Sequence, residues 1–208
     1  MKENLLLLLF LGSGVALGAS GQAPAVFHEP WLPMAVLSLL IVQVGIGLGA
    51  KLDVRAMVRS FRWPMLLLPL FTVAGSLLFS ALALLFFPDG SLSDMLAVGS
   101  GFGYYSLSSV LIVETKTLTA GAAAATQLGA VALLANVLRE LLALFGCSFF
   151  TRRGGRFAAI SVAGINSMDV CLPSILRTTG DRSLLPVAVF HGLVLEVSVP
   201  LLVTLFCS

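Results

Sequence analysis

The run "GFGYYSLSSVLIVE" at residues 101–114 interrupts a chain that is otherwise rich in Leu, Ala, Val and Phe. It contains two glycines, two tyrosines and three serines, and it ends on a glutamate. Glycine lets the backbone bend where other residues resist, and hydroxyl groups can pair the backbone groups that a bend sets free. The run therefore predicts a break in an apolar element at this position.

The composition on both sides of this run is that of a membrane protein. The chain has 208 residues, of which 58% are hydrophobic and 11% are charged, and its mean hydropathy is +1.04. A soluble domain usually carries about 25% charged residues, so this chain lacks the charge to cover a globular surface in water. Its net charge of +2 gives no reason to expect a nucleic-acid partner.

Cysteine and histidine are too scattered to predict a metal centre. The three cysteines, Cys147, Cys171 and Cys207, lie in or beside apolar runs and show no CxxC spacing. His28 and His191 are far apart in sequence, and the chain has no HExxH motif. We therefore expect buried structural thiols, no metal site and no cofactor.

Apolar runs long enough to cross a bilayer divide the chain. About 20 helical residues cross the roughly 30 Å hydrocarbon core. The predicted spans are residues 5–22, 31–50, 63–87, 118–150 and 184–206. The first run follows a lysine and has small residues after it, so a cleaved signal peptide is the alternative interpretation there.

Basic loops orient these spans. Positive charge concentrates in residues 51–62, in "TRRGGR" at 151–156, and at Arg177 and Arg182 before the last span. The positive-inside rule places these loops in the cytoplasm. The acidic turn "PDGSLSD" at 88–94 is predicted outside. The amino terminus is then inside and the carboxyl terminus outside.

Counting crossings shows where the chain should not cross. The first two basic loops lie on the same side, and the spans 63–87 and 118–150 already supply an even number of crossings between them. Residues 95–113 therefore should not cross, and neither should 157–176, which has arginine-bearing loops at both ends. We expect two re-entrant segments that enter from opposite sides, each surrounded by protein or a water-filled cavity.

The two re-entrant segments also match each other weakly. A shift of 63 residues places Gly101 on Gly164 and Ser106 on Asp169. Half-helices that meet at the membrane midplane are typical of secondary transporters. The pattern therefore favours a transporter.

Four motifs then occur in order along the chain: "SGFGYYSLSSVLIVETKT", "LRELLAL", "SMDVCLPSILRTTG" and "PVAVFHGLVLEVSVP". With them the chain resembles the C-terminal portion of the bacterial lysine exporter family, LysO, best from about residue 95 to 206. The resemblance implies an inner-membrane exporter of L-lysine and lysine-like compounds, coupled to inward proton flow. It also implies that residues 5–19 are retained as a span.

The chain departs from the longer family pattern in one respect. Longer members have an additional N-terminal block of spans, which is missing from this sequence. The resemblance therefore implies a short or split form that works with a small separately encoded partner or as a homodimer. An acidic residue expected in that block has no counterpart here, and Asp53 in "GIGLGAKLD" is a weak substitute.

Two carboxylates are the leading site candidates. Glu114 ends the opening motif, and the resemblance implies a functional glutamate there that binds the substrate ammonium or a proton. Its alternative is an exposed helix-end residue beside Lys116. Asp169 lies in the second break, where a charge at membrane depth usually has a function. Its alternative is a cap of a half-helix.

Further polar residues surround these two. Asn166, Ser167 and Ser106 are lining candidates, or they satisfy backbone groups. Tyr104 and Tyr105 would stack on the lysine ammonium or pack as ordinary aromatic residues.

Two later motifs supply the remaining candidates. Asn136, Arg139 and Glu140 share one arc of a helix, so Arg139 would bind the substrate carboxylate or form an internal ion pair with Glu140. His191 would shuttle protons, or it makes a hydrogen-bonded helix contact. We assign no role to Glu196.

The sequence thus predicts an all-α polytopic inner-membrane transporter with about five transmembrane helices and two re-entrant segments, and no enzyme. Its predicted function is lysine export by proton antiport. The alternatives are a subunit of a split carrier and an exporter of another cationic amino acid. An intramembrane hydrolase is disfavoured because the chain has neither GxSxG nor HExxH.

Overall fold

A computed structural model describes residues 2–21, 63–87 and 90–208, together with positions 24, 27, 29, 31, 32, 35, 39, 42 and 46. Most of the predicted span 31–50, and all of the basic loop 51–62 with Asp53, lie outside the described residues. The chain divides into two units, residues 1–46 and 47–208.

The first unit contains helix α1, Lys2–Ala19. It lies over most of the predicted span 5–22. Its large apolar side chains, such as Leu9, Phe10 and Val15, are exposed. An apolar helix with this exposure is suited to a lipid or protein environment.

The second unit is built from helices and short turns. Its helices are α2 (Leu67–Leu82), α3 (Leu92–Gly99), α4 (Tyr105–Ala120), α5 (Ala122–Gly154), α6 (Ala158–Ala163), α7 (Leu172–Thr179) and α8 (Leu184–Cys207). The 3₁₀ turns Trp63–Leu66 and Ala83–Leu85 flank α2, and a third, Gly164–Met168, follows α6. The part of the chain that the structure describes contains no strand, which confirms the all-α prediction.

Three of the described helices are long and apolar enough to cross a membrane: Leu67–Leu85, Ala122–Gly154 and Leu184–Cys207. Their hydropathies are 2.1, 1.8 and 2.0. The chain is therefore a polytopic membrane protein. The count of five crossings stays a prediction.

Helices α3 and α4 fold back on each other, and we call residues 92–120 hairpin 1. Lys116 of α4 forms an ion pair with Asp94 of α3 at 2.8 Å. In one straight helix these residues would lie about 33 Å apart. The turn between the helices contains Phe102 and Gly103 with φ values of 45° and 95°. Positive φ is rare for a bulky residue such as Phe102, so this tip has an unusual backbone.

Helices α6 and α7 form the second such pair, and we call residues 158–179 hairpin 2. Just outside its two ends, Arg156 pairs with Asp181 at 3.1 Å. The Ser183 hydroxyl and N–H, together with Arg156, hold the pKa of the Asp181 carboxyl below its usual value. The ion pair therefore keeps both ends of this hairpin at one end of the molecule.

Helix α8 shows that the two hairpins open at opposite ends of the second unit. It begins at Leu184, three residues after Asp181. It ends at Cys207, which lies within electrostatic range of Lys116 and Asp94. Its 24 residues span about 36 Å, so the open ends of the hairpins are separated by roughly that distance.

Helix α5 packs closely along α4. A single residue, Gly121 with φ 84°, joins the two helices. A Cβ at Gly129 of α5 would overlap the Val113 side chain and press against the Ser109 carbonyl. Small residues therefore bring the two backbones together, as expected for membrane helices.

Candidate functional site

The tips of the two hairpins touch each other. The Ile165 N–H donates to the Phe102 carbonyl at 3.0 Å, and Asn166 Nδ2 donates to the Gly103 carbonyl at 3.4 Å. The residues of each pair are 63 positions apart, which is the shift found in the sequence. A Cβ at Gly164 would overlap the Phe102 carbonyl oxygen, so glycine permits this approach. Contacts between equivalent residues are expected where two inverted repeats meet.

Asn136 of α5 satisfies the tip of hairpin 1. Its Oδ1 accepts from the Gly103 N–H at 2.7 Å. Its Nδ2 donates to the Ala132 carbonyl at 2.8 Å and lies 3.5 Å from Ser108 Oγ. Backbone groups freed by a break need such partners in a membrane. Asn136 therefore has a structural task at this break.

Arg139, one turn further along α5, does the same for hairpin 2. Its Nε and Nη2 donate to the Val162 and Ser161 carbonyls, each at 3.0 Å. Its Nη1 donates to Ser76 Oγ of α2 at 3.0 Å. Among the described residues no ion pair links Arg139 to Glu140, so the predicted internal pair does not form. Two of its five N–H groups remain for another acceptor.

Glu140, the next residue of α5, meets the second break. Only 5% of the residue is exposed. The Asn166 side chain lies beside its carboxylate, and Asp169 lies within electrostatic range. Tyr105 of hairpin 1 also lies within electrostatic range of Glu140. The structure thus brings together four of the predicted site residues: Glu140, Asn166, Asp169 and Tyr105.

A second carboxylate approaches from α8. Glu196 is partly buried and lies within electrostatic range of Tyr104. Sequence reasoning gave Glu196 no role. The signal available was a carboxylate in the middle of an apolar helix that is predicted to cross a membrane.

Two predicted residues of α4 have different positions. Ser106 lies in the first turn of α4, next to the break. Glu114 lies nine positions after Tyr105, about 14 Å along the helix, and it is exposed. Glu114 is therefore not among the residues that gather at the tips.

The remaining predicted residues, Ser167 and His191, belong to a buried polar cluster. His191 is fully buried, with Nδ1 3.1 Å from Ser167 Oγ and Nε2 3.0 Å from Thr72 Oγ1. Thr72 Oγ1 is also 2.7 Å from Ser161 Oγ. The cluster ties hairpin 2 to both α2 and α8. Sequence reasoning missed Thr72 and Ser161.

A cavity of about 550 Å³ lies beside this cluster. Its polar lining includes Thr72, Ser76, Ser80, Asn136, Arg139 and Ser161. This volume is within the range of small-molecule sites. Three of the lining hydroxyls recur every fourth residue of α2, a helical spacing that the sequence already displays.

Comparison with known proteins gives a consistent result. Residues 8–207 match the family described as lysine exporter LysO. The chain is 32% identical over 196 residues to "Lysine exporter LysO" of Escherichia coli (strain K12), covering 94% of this chain and 61% of that protein. It is 33% identical over 123 residues to "Putative lysine exporter" of Haemophilus influenzae (strain ATCC 51907 / DSM 11121 / KW20 / Rd), covering 59% of this chain and 58% of that protein. The chain therefore spans about three fifths of the length of these relatives. No solved structure matches it significantly.

Proposed function

The chain belongs to the lysine exporter LysO family, and from this premise we propose that it exports L-lysine and lysine-like compounds across the bacterial inner membrane in exchange for protons. The proposed activity is transport and involves no enzymatic step or cofactor. The two relatives bear names that state lysine export.

The observation that carries the proposal is the position of Glu140. Its carboxylate is buried where the two hairpin tips meet, beside Asn166 and near Asp169. A buried carboxylate needs a counter-charge or a proton, because an isolated charge in an apolar setting is unfavourable. A lysine ammonium and a proton can each fill that need, so one carboxylate site can bind them alternately.

Arg139 offers a place for the other end of the substrate. Its two remaining N–H groups adjoin the cavity of about 550 Å³ that also contains Ser76 and Asn136. A guanidinium binds a carboxylate in a planar, two-point geometry. Because Arg139 and Glu140 are consecutive on α5, the substrate carboxylate and one ammonium would bind on adjacent faces of that helix. Tyr104 and Tyr105 would pack against the aliphatic part of lysine.

The hairpins give this site two possible exits. Hairpin 1 and hairpin 2 open at opposite ends of α8, with their tips in contact between them. Both hairpins would be re-entrant in the membrane. Their irregular backbone would be tolerated at membrane depth because protein surrounds it. Movement of one hairpin at a time would open the site first to the cytoplasm and then to the outside.

The test is efflux of labelled lysine from proteoliposomes that contain the full chain, with and without a proton gradient. We expect efflux that depends on the gradient and that is absent from empty liposomes. Competition by arginine, ornithine and thialysine would separate a lysine exporter from an exporter of another cationic amino acid. Equal transport with and without the gradient would refute the antiport.

A split carrier is the second candidate, favoured by one observation. Asp169, at the tip of hairpin 2, is exposed although charge at membrane depth is unfavourable. A small partner protein or a second copy would then cover it. Transport that appears only after a partner is added would support this form over a chain that works alone.

A further inference from the structure

The buried cluster around His191 contains more hydrogen-bond contacts than it has hydrogens to donate when the imidazole is neutral. Thr72 Oγ1 donates to the Leu68 carbonyl at 2.9 Å, and Ser167 Oγ donates to the Ala188 carbonyl at 3.0 Å. A carbonyl only accepts and a hydroxyl carries one hydrogen, so both hydroxyl hydrogens are already engaged. The two hydroxyl oxygens then present lone pairs to the imidazole, and Thr72 also presents one to Ser161.

The hydrogens of this cluster can be counted. Its five contacts are the two to carbonyls, the two to the imidazole nitrogens, and the one between Ser161 and Thr72. Three hydroxyls supply three hydrogens, and a neutral imidazole supplies one more. Only a doubly protonated imidazole completes the set, with Nε2–H donating to Thr72 and Nδ1–H donating to Ser167.

From this count we propose that His191 carries the coupling proton, and that its protonated form locks hairpin 2 against α2 and α8. The inference rests on the proton exchange proposed above and adds His191 as a proton site besides the Glu140 carboxylate. Ser161 lies in α6, the first helix of hairpin 2, and Ser167 lies in its tip, whereas Thr72 belongs to α2. One added proton therefore completes bonds across three separate elements.

The surroundings make this proton exchangeable. Thr72 and Ser161 line the cavity of about 550 Å³, and we infer that the cluster exchanges protons through this cavity. Burial of the imidazole and the positive charge of Arg139 on α5 both act on the protonation of His191. The positive charge of Arg139 opposes a second positive charge, so the proton is held only while the bonds around it are complete. Loss of the proton to water leaves one contact without a hydrogen and loosens hairpin 2.

The two histidines of the chain allow a direct test. A His28→Gln variant labelled with ¹⁵N-histidine leaves His191 as the single imidazole signal. NMR of this full chain in lipid vesicles separates the neutral tautomers from the imidazolium. We expect both nitrogens of His191 to become protonated as the vesicles are acidified stepwise from about pH 8 to about pH 4. An imidazole that stays neutral over that range would overturn the inference.

Substitutions at Thr72 test the role of the network. Thr72→Val removes the oxygen that accepts from Nε2, and we expect the ratio of doubly to singly protonated imidazole at a given pH to fall about tenfold. Thr72→Ser keeps the oxygen and should restore the ratio. The matched control is Ser198→Ala on α8, because that hydroxyl bonds the Val194 carbonyl of its own helix at 2.7 Å. An unchanged ratio in Thr72→Val would contradict the proposal.

Transport assays then distinguish a failure of this inference from a failure of the proposed function. His191→Gln should retain lysine counterflow without a pH gradient and lose gradient-driven efflux. Gradient-driven efflux that survives in His191→Gln would overturn the role of His191 and leave lysine export intact. If the unaltered chain moves no lysine but the imidazole titrates in a manner that depends on Thr72, the lysine assignment fails and the proton site stands.

Discussion

At the scale of single residues, two carboxylates compete for the central role. Glu114 ends the motif that distinguishes this chain, yet it is exposed and about 14 Å along α4 from the hairpin tip. Glu140 is buried where the tips meet and lies beside Asn166. A cation is bound more strongly by a desolvated carboxylate than by one in high dielectric. The structure therefore favours Glu140 as the substrate-binding residue.

The matched pair Glu140→Gln and Glu114→Gln tests this preference. Both changes keep size and remove charge. We expect Glu140→Gln to weaken lysine binding by about tenfold to hundredfold, the range for one charged hydrogen bond, and to lower efflux accordingly. Glu114→Gln should transport lysine as the unaltered chain does. Labelled-lysine efflux at equal membrane abundance is the measurement, and the reverse order of the two variants would return the role to Glu114.

Sequence could identify several of these residues but could not assign their tasks. Asn166 and Asp169 were predicted because polar residues in an apolar chain are conspicuous. Arg139 was predicted to bind the substrate carboxylate or to form an internal ion pair, and the first role stays a prediction. In the structure Arg139 bonds the carbonyls that end α6. Those carbonyls are 22 and 23 positions away in sequence, so periodicity within one helix gives no sign of them.

At the scale of elements, α5 supports both breaks. Asn136 bonds the tip of hairpin 1, and one turn later Arg139 bonds the end of α6 and Ser76 of α2. The two hairpins therefore share one supporting helix. A shift of α5 along its axis would disturb both tips together.

Substitution of Arg139 should consequently destabilise the fold as well as alter transport. Arg139→Met keeps an apolar stem of similar length and leaves the Val162 and Ser161 carbonyls without their donors. Each unsatisfied buried group costs about 1–3 kcal/mol, so we expect a loss on the order of 3 kcal/mol in the free energy of unfolding. Thermal unfolding of the purified chain in detergent measures it.

Arg153→Met is the control for that experiment. Arg153 lies in the last turn of α5 and is exposed, with its guanidinium 5.5 Å from the centre of the Phe149 ring. An exposed contact of this kind is worth about 0.5–1 kcal/mol. Equal destabilisation by the two variants would mean that the bonds of Arg139 do not hold the hairpins in place.

The boundary between α4 and α5 shows that a hydropathy average does not locate short turns. The sequence predicts one apolar stretch from residue 118 to 150, whereas α4 continues to Ala120 and α5 begins at Ala122. The reversal needs only Gly121, whose φ of 84° suits glycine. A turn of one residue inside an alanine-rich run leaves no trace in a hydropathy average, so the sequence could not place it.

At the scale of the whole second unit, charge parity in the loops predicts two segments that do not cross the membrane, and this stays a prediction. The structure contains a folded-back helix pair in each of these regions. The contact between the tips could not be predicted with similar force. The 63-residue shift aligns few identical residues. Only the hydrogen bonds from the Ile165 N–H to Phe102 and from the Asn166 side chain to Gly103 reveal its meaning.

The opposite orientation of the hairpins makes a prediction about the membrane. Ser91, beside the start of hairpin 1, and Ser183, just after hairpin 2, are both exposed. They lie at opposite ends of α8, which is long enough to cross the roughly 30 Å hydrocarbon core. A membrane-impermeant thiol reagent should therefore label Ser91→Cys from outside the cell and Ser183→Cys only in inside-out vesicles.

The native thiols give a low background in this experiment, because Cys147, Cys171 and Cys207 are all buried. The chain without an added cysteine is the control on each side. If both added cysteines react from the same side, the hairpins cannot open to opposite compartments, and alternating access around their tips fails. If each reacts from its own side, a substrate held between Glu140 and Arg139 has one hairpin toward each compartment, as an exporter requires.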